Sequence, residues 1–132
     1  MAIFGIGTDV VSVRRIEALV KRHPQRFPQR ILSAAELEEY GATAAKTAFL
    51  AKRFASKEAA SKALGLGFQQ GITFTDFEVG HDASGKPELY LSGRAAEVAD
   101  QHGINGIHLT ISDEAETAVA FVVLECTAEA SI

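Results

Sequence analysis

Glu58 and Lys62 stand four residues apart in the run FLAKRFASKEAASKALGLG, residues 49–67. At about 100° per residue they share one side of a helix with Ala51, Phe54 and Ala55. The small and aromatic members of that stripe belong in a core, so a carboxylate and an ammonium sit where apolar atoms should pack. Glu ahead of Lys at this spacing is the favourable order for an ion pair. A helix-stabilising pair at the rim of the core is the ordinary explanation. The other explanation is a site that the stripe faces. Asp9 is a second candidate. It ends the stretch GIGTD, in which Gly5 and Gly7 leave one strand face nearly bare, so that another backbone or a ligand can approach. A carboxylate there suits a hard cation, and suits a helix cap or turn equally well. His108, Thr110 and Ser112 form a row on one face of a further strand. Such a row fits phosphate or polar-ligand contact, or an ordinary exposed or satisfied histidine.

The elements that must position these residues follow from periodicity and punctuation. Residues 49–67 lack proline and are rich in alanine, which favours helix. Gly65 and Gly67 suit a left-handed stop. Residues 1–11 read as a strand with Ile3, Gly5, Gly7 and Asp9 on one face and Phe4, Ile6, Thr8 and Val10 on the other. Ser12 caps a helix over residues 13–22, with Val13, Ile16, Leu19 and Val20 inward and Pro24 beyond its end. Arg14, Arg15, Lys21, Arg22, Arg26 and Arg30 give that helix and the loop after it a basic surface. Ser33 and Glu36 form a capping-box pattern opening a short helix that Gly41 can close. Residues 72–79 alternate as a strand, residues 82–85 turn, and Lys86-Pro87 leads into a strand over 88–91, making a hairpin. A helix over 92–103 packs through Ala95, Ala96, Val98 and Ala99. Residues 107–112 alternate with Ile107, Leu109 and Ile111 inward, and the apolar strand 118–125 completes an antiparallel pair. The class is α+β: an antiparallel sheet packed against a long central helix.

A chain of 132 residues is a single domain by length, and 47% hydrophobic with 23% charged residues is enough apolar material for a real core. No run of apolar residues is long enough to span a membrane. No basic segment followed by an apolar block opens the chain, so no signal peptide is expected and the cytoplasm is the expected location. The single cysteine, Cys126, excludes an internal disulfide and a cysteine-built metal cage. The net charge of −4 hides a division. Residues 1–66 carry eleven Lys and Arg against six Asp and Glu, giving +5, and residues 67–132 carry two against eleven, giving −9. The basic half points to an anionic partner. Nucleic acid fits poorly, because the second half is acidic, tryptophan is absent and aromatics are few.

Two segments together carry a resemblance. GIGTDVVSVRRIEAL, residues 5–19, and FLAKRFASKEAASKALGLG resemble the two signature regions of the holo-[acyl-carrier-protein] synthase family, the small bacterial 4′-phosphopantetheinyl transferases. The first fits the pattern G-[IL]-G-x-D-[IV]-V and the second R-F-x-x-K-E-A-x-x-K-A-[LF]-G-x-G. The likeness extends through GITFTDFEV, GKP and HLTIS, and so covers nearly the whole chain in order. After HLTIS some members carry His-Thr where this chain has Asp113-Glu114, so no histidine from that position can serve as a base here.

The resemblance implies the family's fold in a single domain over residues 1–132 and a reaction. The 4′-phosphopantetheine arm of coenzyme A passes to a serine of apo acyl carrier protein, adenosine 3′,5′-bisphosphate leaves, and Mg²⁺ is required. It implies Asp9 and Glu58 as metal ligands and Lys62 on the phosphates. A water-relayed Glu58 is the expected proton acceptor. Ser61, Gly65, Gly67, Lys86, Pro87 and His108 fall at positions that meet coenzyme A. Arg14 falls where the family meets the acidic carrier, with Arg15, Arg22, Arg26 and Arg53 as secondary candidates. Family members are homotrimers with sites between subunits. A non-catalytic coenzyme A or nucleotide binder on the same fold is the competing possibility, and the intact Asp9, Glu58 and Lys62 argue against it.

Overall fold

A computed structural model of the chain describes residues 2–127. The described chain opens with β1 (Ala2–Ser12); Met1, expected to begin this strand, lies outside the described residues. Three helices follow: α1 (Val13–Arg22), α2 (Arg26–Ile31) and α3 (Ala34–Ala42). The long helix α4 (Lys46–Leu64) comes next, then the hairpin of β2 (Phe77–His81) and β3 (Pro87–Leu91). Helix α5 (Gly93–Gln101) leads into β4 (Ile104–Asp113) and β5 (Thr117–Cys126). The expected α+β class holds. β5 is the middle strand of a three-stranded antiparallel sheet, flanked by β1 and β4, and α4 lies across one face.

The bare face of β1 is where α4 comes down. A Cβ on Gly5 would run into the carbonyl oxygen of Ala63, and one on Gly7 into that of Ala59. Helix and strand backbones therefore touch, and Ala59 and Ala63 are small enough to permit it. Ala51, Ala55, Ala120, Val122 and Leu124 fill the rest of this layer and are 0–1% exposed. This contact fixes the height of Asp9, two residues beyond Gly7, against the last turns of α4.

Several elements match their sequence signals closely. The Ser12 hydroxyl accepts from the Arg15 amide at the start of α1. Ser33 and Glu36 close a reciprocal capping box. α4 ends on Gly65 in the left-handed conformation at φ 86°, although it begins at Lys46, three residues before the expected start. Other elements differ. α2 replaces part of the expected basic loop, and Pro28 fits because it lies in the first turn, where an amide proton has no helical partner. Gly41 does not close α3, which runs on to Ala42. Of the four α1 residues read as inward only Ile16 is fully buried; Val13, Leu19 and Val20 are half-buried.

The strand read over 72–79 begins only at Phe77. Residues Phe74–Asp76 form a 3-10 turn instead. Asp76 is the cause: its carboxylate accepts from the Thr73 amide and hydroxyl and from the Ala95 amide, tying the turn to the start of α5. In β1 the register slips between Ile3 and Gly5. The bulge turns Ile3 outward at 65% exposure and brings Phe4 against the His102 ring, centroids 5.0 Å apart. Alternation therefore holds from Gly5 onward and fails before it.

Candidate active site

Asp9 and Lys62 meet across the β1–α4 contact. The Lys62 ammonium donates to Asp9 Oδ1 at 3.1 Å and to the Thr8 carbonyl at 3.0 Å. The Asp9 side chain is 15% exposed and that of Lys62 51%, so the carboxylate is largely covered while the ammonium stays open to solvent. Glu58 lies one turn before Lys62 and is half-buried. Burial pushes its carboxyl above the usual carboxylate range, the Asp9 charge adds to the rise, and the Lys62 and Arg15 cations offset part of it. The helical pairing of Glu58 with Lys62 expected from their spacing is replaced by the cross-element pair with Asp9. Two carboxylates close enough to repel, beside a cation, form a constellation that a surface salt bridge does not need.

The donor set fits a hard divalent cation. Asp9 and Glu58 offer carboxylate oxygens, and the described residues contain no group of three His, Cys, Asp or Glu that would form a closed cage. Mg²⁺ takes one or two carboxylates and fills its remaining positions with waters and phosphate oxygens. The mutual repulsion of Asp9 and Glu58 is what such a cation relieves.

Arg15 stands closer to this site than sequence suggested. Its guanidinium lies over the Phe54 ring, 5.6 Å from the centroid, and its charge reaches Glu58. Arg14, Arg22 and Arg26 are exposed along α1 and α2. A groove lined by Leu19, His23, Arg26, Phe27 and Arg30 runs between these helices, basic at its rim and apolar at its floor.

Arg53 does not belong to that surface. It is 5% exposed and its Nη1 donates to Glu36 Oε2 at 3.2 Å, Glu39 Oε1 at 3.3 Å and the Val79 carbonyl at 3.2 Å. This corrects its expected role in carrier docking. Glu36 is fully buried and also accepts from Lys57 at 2.5 Å and from the Val79 amide at 2.9 Å. Burial alone would raise the Glu36 carboxyl, but the Lys57 ammonium and these hydrogen bonds hold it below the usual range. Lys57, 0% exposed, spends its remaining reach on the Ile31 carbonyl. Sequence reasoning missed this network. The capping box identified one oxygen of Glu36 and gave no sign of the other.

The glycine end of α4 needs one further correction. Ser61 is 1% exposed and its hydroxyl donates to the Glu58 carbonyl at 2.7 Å. It braces the helix at Glu58 and presents no free hydroxyl to a ligand. The Gly65 and Gly67 amides donate to the Lys62 and Ser61 carbonyls and so close the helix. Space beside both glycines is open, with nothing within 4 Å of a Cβ built there.

Lys86, Pro87 and His108 come together elsewhere, around a cleft of about 150 Å³ shared with Tyr90. A neighbouring cleft of about 300 Å³ is walled by Lys52, His81, Pro87 and Ile111; Lys52 and His81 carried no signal in the sequence. His108 projects from β4, and Asp9 from β1 at the opposite edge of the sheet and on its other face. One chain therefore holds two separate sets of candidate residues.

The model of the 4′-phosphopantetheinyl transferase superfamily matches residues 5–122. The chain belongs to this superfamily. A holo-[acyl-carrier-protein] synthase from Vibrio cholerae is 54% identical over 123 residues, 93% of this chain and 98% of that protein. The crystal structure of such a synthase from Neisseria meningitidis superposes with a TM-score of 0.88 at 45% identity, covering 93% of this chain and 98% of that one. One from Bacillus anthracis, in complex with coenzyme A (3′,5′-ADP), gives 0.81 at 38% identity, covering 96% and 100%. The chain is thus an enzyme of the 4′-phosphopantetheinyl transferase class, of the holo-[acyl-carrier-protein] synthase kind. No helix among the described residues is long and apolar enough to cross a membrane.

Proposed function

We propose that this transferase moves 4′-phosphopantetheine from coenzyme A to a serine of an acyl carrier protein, in a Mg²⁺-dependent reaction that releases adenosine 3′,5′-bisphosphate. The observation that carries this reading is the Asp9–Glu58–Lys62 cluster. Asp9 and Glu58 hold the cation, which when bound neutralises charge on the pyrophosphate. Lys62, half exposed and tethered to Asp9, donates to the phosphate oxygens and stabilises the departing bisphosphate. The nucleophile is the partner's serine, so no such group is needed here. Glu58 takes the serine proton through a water.

The acidic carrier docks on α1 and α2, where Arg14, Arg15, Arg22 and Arg26 present cations around the apolar floor at Phe27. Lys86, Pro87 and His108 meet the coenzyme A. Because they stand apart from Asp9 within one chain, a second copy supplies them. The outer face of the sheet supports this: Ile6 is 60% exposed, Val10 65% and Phe121 39%, and a further copy of the chain covers them in the expected trimer.

Steady-state transfer to a purified apo carrier tests the reading. Asp9→Asn and Glu58→Ala each abolish transfer while the circular dichroism spectrum stays unchanged. Full activity in either variant removes that residue from the site.

A further inference from the structure

Glu125, near the end of the middle strand β5, is a carboxylate to which the proposed reaction gives no task. The Nε2 atom of His108 lies 2.6 Å from its Oε1. The strand pairing builds this contact. A register shift between Ile104 and Gly106 sets Gly106 opposite Glu125. A Cβ on Gly106 would stand 2.9 Å from Glu125 Oε1 and 3.1 Å from its Cβ. The missing side chain is therefore the space through which the carboxylate reaches the ring two residues further along β4. The Glu125 side chain is 25% exposed and that of His108 57%, so the carboxylate sits behind the ring and the ring faces outward.

A carboxylate only accepts, so the bonded ring nitrogen carries the proton. The ring is then fixed in orientation, and Nδ1 is left for a ligand. The same carboxylate compensates an imidazolium, the form in which Nδ1 donates to a phosphate oxygen. In the cleft, Lys86 and Glu88 are the charged neighbours from the hairpin. Glu88 is engaged by the Tyr90 hydroxyl at 2.5 Å.

We propose that Glu125 is the positioning residue for His108, holding its ring toward a phosphate-bearing ligand in the Lys86–Tyr90 cleft, with Gly106 as the glycine that permits the pairing. The inference rests on the transferase reading, in which that ligand is coenzyme A.

The test combines kinetics on the intact enzyme with nuclear magnetic resonance of the His108 ring. Glu125→Ala raises the KM for coenzyme A about tenfold, the scale of one charge-assisted hydrogen bond, with kcat and the carrier KM unchanged. Glu125→Gln keeps an acceptor oxygen and stays within about threefold of the parent. His108→Gln matches Glu125→Ala, and the double variant is no worse than His108→Gln alone. In the parent protein the His108 Nε2 proton is protected from exchange, and Glu125→Ala removes the protection. Multiplying effects of Glu125→Ala and His108→Gln, or an equal rise in the carrier KM, would overturn the positioning role while leaving the transferase intact. A protected Nε2 proton in a protein that binds no coenzyme A contradicts the transferase reading, and the positioning role falls with it.

Discussion

Gly7→Ala should separate stability from catalysis in a way that tests how the site is built. The Cβ of that alanine would collide with the Ala59 carbonyl oxygen and stand 2.7 Å from the Ala63 amide nitrogen. Both atoms belong to the helix backbone, so neither can rotate away. Restoring ordinary contact requires β1 and α4 to part by on the order of 1 Å. Overpacking of this kind costs about 1–3 kcal/mol. In a domain of this size each kcal/mol lowers the melting temperature by roughly 3–5 °C. The larger effect is on chemistry. Asp9 rides on β1, and Glu58 and Lys62 on α4, so the displacement opens the site itself. A misplacement of about 1 Å costs on the order of a hundredfold in rate. Thermal denaturation and steady-state transfer on the same preparation measure both. A folded variant that is destabilised yet keeps parental kcat would refute the claim that this backbone contact sets the site geometry.

Other perturbations follow from the same contacts. Glu58→Gln abolishes transfer yet raises the melting temperature at neutral pH, because folding raises the Glu58 carboxyl and so works against its ionised form. That gain fades as the pH falls through the carboxylate range and the parental Glu58 takes up its proton; an unchanged melting temperature at neutral pH counts against the assigned environment. Glu36→Gln leaves Lys57 and Arg53 without their shared anion, and the cost in a chemical denaturation series is about 3–5 kcal/mol. Because Glu36 is depressed in the fold, its contribution is present above the unfolded carboxylate range and lost as the pH drops through the lowered value. Arg14→Ala raises the KM for the carrier more than that for coenzyme A, and added salt shrinks the difference; equal effects on both substrates remove Arg14 from the docking surface.

What sequence could show depended on whether a residue's task was local. Ser12, the Ser33–Glu36 box and Gly65 act on their own helix ends, and each was legible. Gly5 and Gly7 announced a close approach without saying that the approaching surface was the α4 backbone. The stripe holding Glu58 was recognisable because a charge among alanines breaks the helical pattern. Its true ion-pair geometry was not, since Lys62 turns to Asp9, far away in sequence. Arg53 shows the limit most clearly. On a helix rich in Lys and Arg it reads as surface, and only the third dimension reveals Glu36, Glu39 and the Val79 carbonyl around it. The bulge at Phe4 and the 3-10 turn at Phe74–Asp76 were hidden for a similar reason, as each depends on partners from another element.

Intact-mass spectrometry addresses the central claim most directly. Apo acyl carrier protein is incubated with this enzyme, coenzyme A and Mg²⁺, beside a control containing EDTA. The account expects the carrier to gain the mass of one phosphopantetheine in the first sample and none in the control. A carrier of unchanged mass in both, while the protein still binds coenzyme A, would contradict the assignment of Asp9, Glu58 and Lys62 to phosphopantetheine transfer.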